Sequence, residues 1–420
     1  MYDRINGENN NWQKRKETKL VNMMGGWYDA GDYLKFTLTT AFSTYQLLRA
    51  YEINPQLFAK ELSKNKLPII LDEAKWGLDY LMKVMPDSNT FIIQVGNHID
   101  HRVGDRLPED DMLDGARGAY SCLAKGQMAY TAATLALASS IFQKLGDPSL
   151  AESYKIMAEK IFAAARKTSY SSAWYEFESE HFYNDESSYD NMGLAIAELY
   201  KLTQKKEYKL LLDDYSKNVG AGAWFAWGNY NAIVNLRMHE IGGAAALQSA
   251  RSDMKKFAYQ TMYGNNLWGV PHEFTWGTLY SFLGVGSASV LYTKQTKDST
   301  YIDHAYSVVD YLFGRNNWGV SFIVSPHLPN AVKNIYSQVY RLQPKLSAIG
   351  AVAEGPGDLK SHLEIKQYYA YSTDKHPNNK FNTSQVVFYD EKSDFQCMET
   401  TISGLSDTIL FLTLMETYSK

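Results

Sequence analysis

The sequence predicts an all-α protein, an α/α toroid, on four observations. Apolar residues recur at three- and four-residue spacing in stretch after stretch. Most of these stretches arrive in pairs. Between them no run alternates as a half-buried strand does, so no central β-sheet is expected. The pairs share no tight repeat of the solenoid kind, which favours a ring closed around a core over an open superhelix.

Taken in order, the first helix is expected near 37–53. Leu71, Ala74, Leu78, Leu81 and Met85 mark the face of the second, and Met128, Leu135, Ile141 and Leu145 that of the third. Gly146-Asp147-Pro148-Ser149 is a helix–helix turn with Pro at a favoured early helical position. Leu150, Tyr154, Met157, Ile161 and Phe162 carry the next face. Further helices are expected near 189–203, 206–216, 227–240, 245–261, 276–293, 299–314 and 403–419. Two longer irregular stretches, about Pro86–Tyr120 and Asn316–Ser403, interrupt the series, and long loops in compact helical proteins are usually functional. No low-complexity linker divides the chain, so residues 1–420 read as one domain, opened by a polar segment over 1–24.

Bulk properties exclude some functions. The net charge is −4 with both signs interspersed, and no basic stripe points to nucleic acid. No apolar run is long enough to span a bilayer. The first twenty residues are polar and Asn-rich, with no visible signal peptide. Cys122 and Cys397 are too few for a disulfide scaffold. Two buried free thiols are the default, with one bridge left open.

The chemistry concentrates in Gly25-Gly26-Trp27-Tyr28-Asp29-Ala30-Gly31-Asp32-Tyr33. Two carboxylates, Asp29 and Asp32, stand three residues apart in a Gly- and aromatic-rich segment. Such a loop can present an acid to activate water beside flat faces that hold sugar rings. It also suits a turn whose acids only bond nearby backbone. The second acidic position, Glu399, lies just before the last helix and is flanked by Phe395, Cys397 and Met398. Desolvation there would raise its pKa and suit it to general-acid duty, while the helix dipole alone would stabilise it as an anion.

Together these segments resemble glycoside hydrolase family 9, the inverting β-glucanases and cellulases, whose hallmark G-G-W-Y-D-A-G-D-Y is matched over all of Gly25–Tyr33. Gln94-Val95-Gly96, Asp100-His101 and Pro108-Glu109-Asp110 resemble its Q-V-G, D-H and P-E segment. Trp276-Gly277-Thr278 resembles its W-G-S turn, Phe313-Gly314-Arg315-Asn316 its L-G-x-N, and Glu354-Gly355-Pro356 its G-G-P. Asp394 and Glu399 fit its acid motif. Segments 47–52 and 67–76 are similar to the subgroup with an N-terminal immunoglobulin-like module.

The resemblance implies an (α/α)6 toroid of twelve helices. Eleven are visible here, with the first helix lacking or one position open. It implies inverting hydrolysis of a β-1,4-glucan, with Asp32 as general base, Asp29 holding the same water and Glu399 protonating the leaving oxygen. Trp27, Tyr28, His101, Trp224, Trp276 and Tyr280 are the expected groove residues, and His101 equally suits a hydrogen-bonded core position. The expected partner is an oligo- or polysaccharide, bound by a monomer that is secreted, periplasmic or at the cell surface.

The departures from the family pattern are specific. Met398 replaces the Asn before the acid, Asp105 a Trp and Tyr280 an Arg. Of the P-H-H-R loop only Pro326-His327 is similar. The family's calcium ligands correspond to Glu186-Ser187-Ser188-Tyr189-Asp190-Asn191 and to about Gly228, a pattern short of two carboxylates. No cofactor is therefore expected, although Asp185 and Glu186 could substitute as calcium ligands. Catalysis on a cellulose-like, mixed-linkage or xyloglucan-type glucan is the leading expectation. The alternative is a hydrolase-derived sugar-binding protein with little turnover.

Overall fold

Helices whose every face is apolar or small belong inside a protein, and helices with one apolar stripe belong at its rim. The computed structural model sorts the chain on this rule. It describes residues 2–4, 12–14, 20–101, 103–111, 117–168, 183, 188–217, 231–263, 267–270, 274–366 and 376–420. The helices are α1 (Thr37–Ile53), α2 (Pro55–Phe58), α3 (Ile69–Leu81), α4 (Lys125–Lys144), α5 (Pro148–Lys167), α6 (Tyr189–Thr203), α7 (Lys206–Tyr215) and α8 (Asn231–Ile241). They continue with α9 (Ala246–Tyr263), α10 (Thr278–Thr296), α11 (Ile302–Leu312), α12 (Gln338–Leu342), α13 (Leu359–Lys366), α14 (Phe395–Met398) and α15 (Ile402–Tyr418).

In α1 every residue from Thr37 to Ala50 is buried, and in α10 every residue from Thr278 to Thr293. α3, α5, α7 and α11 bury one face each. The packing follows. α1, α4, α6, α8, α10 and α15 each contact the next, and α15 returns to α1, so the inner ring closes. α3 lies outside α1, α5 outside α4, α7 outside α6, α9 outside α8 and α11 outside α10. The helices in extended contact with α15 are its ring neighbours α1 and α10. Its Ile402, Leu405, Ile409 and Leu412 stay partly exposed. The twelfth position is thus unfilled among the described residues, and it belongs to the outer ring.

All eleven expected helices are present. Gly146 takes φ 84°, a left-handed value that suits glycine, and Asp147 caps α5 by accepting from Leu150 N at 3.0 Å. Thr401 caps α15 through Gly404 N at 3.1 Å.

The irregular stretches hold structure that periodicity did not reveal. Strands β1 (Tyr2–Arg4), β2 (Trp12–Lys14), β3 (Lys35–Phe36), β4 (Ile92–Val95) and β5 (Ala119–Ser121) form a sheet in the order β2-β1-β5-β4-β3. β6 (Gly357–Asp358) pairs antiparallel with β7 (Val386–Val387). Strands of two to four residues are too short to show alternation. The larger sheet is not central: β3 runs directly into α1 and β5 ends just before α4, so it edges the N-terminal mouth of the inner ring. Cys397 and Cys122 are both free, as the default reading had it, but Cys122 is only half-buried.

Candidate active site

The N-terminal ends of the inner helices face one mouth of the ring, and the hallmark segment enters there just before α1. Gly25 and Gly26 take φ 94° and 63°. A Cβ on Gly25 would meet the Tyr80 backbone nitrogen at 2.9 Å, so the tight approach to α3 requires glycine. The turn places Asp29 inward. It is 1% exposed, its N–H donates to Leu34 O at 2.9 Å, and its carboxylate accepts from the Thr39 and Tyr183 hydroxyls. Burial pushes the Asp29 carboxyl up to about 7 against those hydrogen bonds.

Asp32 faces the mouth. Its Oδ1 accepts from Leu34 N at 2.9 Å and its Oδ2 lies 2.8 Å from His101 Nε2. His101 ends a short 3-10 turn, His98–His101. Behind it Asp100 and Asp111 each pair with both Arg106 and Arg117, which fixes the loop that carries the histidine.

Glu399 arrives from the other end of the chain. Gly31 N donates to its Oε1 at 2.9 Å. Its backbone is clipped on both sides: Tyr336 N donates to Met398 O at 2.8 Å and Glu354 N to Glu399 O at 2.9 Å. Ile402 N completes the join by donating to Asp29 O at 3.0 Å. Burial, with the neighbouring Asp32 charge, pushes the Glu399 carboxyl up to about 8, against the Gly31 N–H and His101. Asp29, Asp32, His101 and Glu399 therefore form one cluster, with one carboxyl held protonated near neutrality and another open to solvent beside an imidazole.

The expected groove aromatics divide. Trp276 is 39% exposed and sits 5.5 Å from Phe395, on the Glu399 side. Tyr28 is partly exposed, 4.8 Å from Tyr33. Trp27 turns to the outer wall, where its indole donates to Glu73 Oε1 at 2.7 Å and its ring covers Gly77. Tyr280 is a correction. It is fully buried in α10, in space left by Gly404, where a Cβ would lie 2.0 Å from the tyrosine ring, so it cannot touch a bound chain. Trp224 lies outside the described residues, as do Asp185, Glu186, Ser187 and Gly228 of the calcium pattern. Pro326 and His327 are exposed.

Sequence reasoning missed Tyr183, Tyr336, Arg341 and Glu354. Asp105, where the family has Trp, pairs with Arg341 Nε at 3.0 Å, and Arg341 lies over the Tyr336 ring at 5.5 Å. Only Glu354 left a signal, as the non-glycine in Glu354-Gly355-Pro356.

A double helical ring with paired carboxyls at the mouth of its inner layer defines the class: an (α/α)6 glycoside hydrolase. Comparison with known proteins narrows it. The sequence pattern of Glycosyl hydrolase family 9 matches residues 3–411, and the chain belongs to that family. Endoglucanase 17 of Arabidopsis thaliana is 27% identical, over 90% of this chain and 78% of its own. Endoglucanase 18 of the same plant is 28% identical, over 91% and 83%. Among solved structures, the cellulase Cel9M of C. cellulolyticum in complex with cellobiose superposes with a TM-score of 0.75 at 19% identity, covering 95% of this chain and 89% of that one. A metagenome-derived family 9 endoglucanase gives 0.74 at 22%, covering 96% and 72%. The protein is an endoglucanase-like glycoside hydrolase.

Proposed function

We propose that the chain hydrolyses β-1,4-glucosidic bonds with inversion, Asp32 acting as base and Glu399 as acid. The observation that carries this reading is the Gly31 N–H bond to Glu399 Oε1, which sets the protonated carboxyl beside the residue next to Asp32. In the reaction Glu399 gives its proton to the leaving glycosidic oxygen. Asp32 takes one from a water that attacks the anomeric carbon from the opposite face. His101, with Nε2 2.8 Å from Asp32 Oδ2, orients the base. Asp29 has one lone pair left on each oxygen after Thr39 and Tyr183, enough to hold the same water. The chemistry uses carboxyls and water alone, with no metal in any step. The active species is a monomer, working outside the cytoplasm; among the described residues no helix is long and apolar enough to cross a membrane.

The substrate follows from the groove. A Trp offers a sugar a stacking face, whereas the Asp105–Arg341 pair offers charge and hydrogen bonds. Less stacking leaves less binding energy to distort the sugar at the cleavage point. Soluble mixed-linkage glucan or xyloglucan is expected to be cleaved faster than crystalline cellulose, and a chelator is expected to change neither rate. Reducing-end release across such a panel checks this. Equal or faster cleavage of crystalline cellulose would overturn it, and binding without turnover on every glucan would sink the catalytic reading.

The pH dependence has a definite sign. The acid must be protonated and its pKa is raised to about 8. Activity is therefore held through neutrality and falls as pH rises past about 8, rather than near the ordinary glutamate value of about 4.3. A kcat–pH profile on a soluble glucan reads this directly. A basic limb below pH 6 would show that Glu399 is not desolvated as described.

A further inference from the structure

Glu354 is a carboxyl the reaction does not use. It is 4% exposed and lies directly against the acid, with its backbone N–H on Glu399 O at 2.9 Å. The Trp276 indole N–H bonds its side chain. Its Oε2 is buried with no hydrogen-bond partner among the described residues. The next residue, Gly355, donates to Cys397 O at 3.0 Å, so the strand of chain that carries Glu354 is pinned alongside the acid's own. An ionised carboxylate left with an empty oxygen in such a place is costly, and a neutral one is tolerable. Burial first, then the Glu399 charge, drive its pKa well above the usual range, with Asp29 and Asp394 adding to the same effect. Glu399 in turn faces Asp32, Asp29 and His101, and the hydroxyls of Tyr183, Tyr280 and Tyr336 lie within its field.

We propose that Glu354 is a positioning residue for the proton donor: it tethers Trp276 to the segment carrying Glu399 and fills the space behind that carboxyl, keeping water out. A glycine at this position, as in the family's G-G-P, would supply neither tether nor bulk. The inference rests on the catalytic reading of Glu399, and its first readout does not depend on turnover.

The test is a carbon-13 NMR pH titration of glutamate-labelled protein, with the Glu399 side-chain signal assigned through Glu399→Gln. It compares the wild type with Glu354→Gln and Glu354→Gly, or Glu354→Ala should the glycine variant not fold. Glutamine is neutral, has the same bulk and still accepts from Trp276. It is expected to leave the Glu399 midpoint in place. Glycine admits water, and the midpoint is expected to fall by about one pH unit. The glycine variant is also expected to raise KM for a soluble β-glucan more than it lowers kcat below pH 6, because Trp276 loses its tether. An unchanged Glu399 titration in Glu354→Gly overturns the proposal. So does an equal fall in Glu354→Gln, which would make Glu354 a charged neighbour instead of a spacer. A wild type that titrates as expected yet cleaves no glucan would instead overturn the catalytic reading.

Discussion

Asp32→Asn and Glu399→Gln are each expected to fold normally and to lose about 10²–10⁴-fold in kcat. Asp32 is anchored by Leu34 N and His101, and an amide can keep the first contact while losing the basicity that activates water. Glu399→Gln keeps an oxygen for the Gly31 N–H and loses the transferable proton. The two variants should separate on an aryl glycoside whose leaving group needs no proton: Glu399→Gln recovers part of its rate there and Asp32→Asn does not. Reducing-end release and release of the aryl group, with thermal unfolding as the control for folding, give the answer. Near-wild-type rates in either variant would remove that residue from its role.

Gly31→Ala is expected to cost about 10²-fold in kcat while most of the fold survives. A Cβ at this position would lie 2.7 Å from the Tyr336 ring and 2.8 Å from Glu399 Oε1. Atoms do not approach so closely, so the ring or the acid must move. A displacement of about 1 Å between reacting groups is enough for a loss of that size. The effect is local, because Gly31 sits in the turn before α1 and the atoms its Cβ would meet belong to Tyr336 and Glu399. Comparable activity in the variant would show that Glu399 can be held elsewhere without loss.

What was legible in the chain divides along physical lines. Helix positions were, since three- and four-residue spacing persists over ten residues or more and turns such as Gly146-Asp147-Pro148 punctuate it. The structure also brings Asp29, Asp32 and Glu399 together, as the two motif segments led one to expect. The short strands were not legible, because two to four residues carry no period. Tyr280 misled because an offset along the sequence does not reveal which way an inner helix turns its side chains. Trp27 packs on the outer helix while Asp29, two residues on, turns inward, a division that the residue pattern of the segment does not carry. Tyr183 and Tyr336 lie outside any periodic stretch of the sequence, so only the folded chain shows them beside Asp29 and the Glu399 segment.

Closure of the inner ring by α1 and α15 bears on how the molecule comes into being. The contact between the Asp32 segment and Glu399 joins residues 368 positions apart, and the other four inner helices lie between them in the sequence. Contacts of such long range form late and slowly, after nearer pairs have nucleated. A chain emerging from the ribosome can build helical hairpin upon helical hairpin, yet it can cleave nothing until the segment carrying Glu399 docks against the one carrying Gly31. Enzymatic competence and completion of the topology are therefore one event, and recovery of activity after denaturation reports the final step of folding.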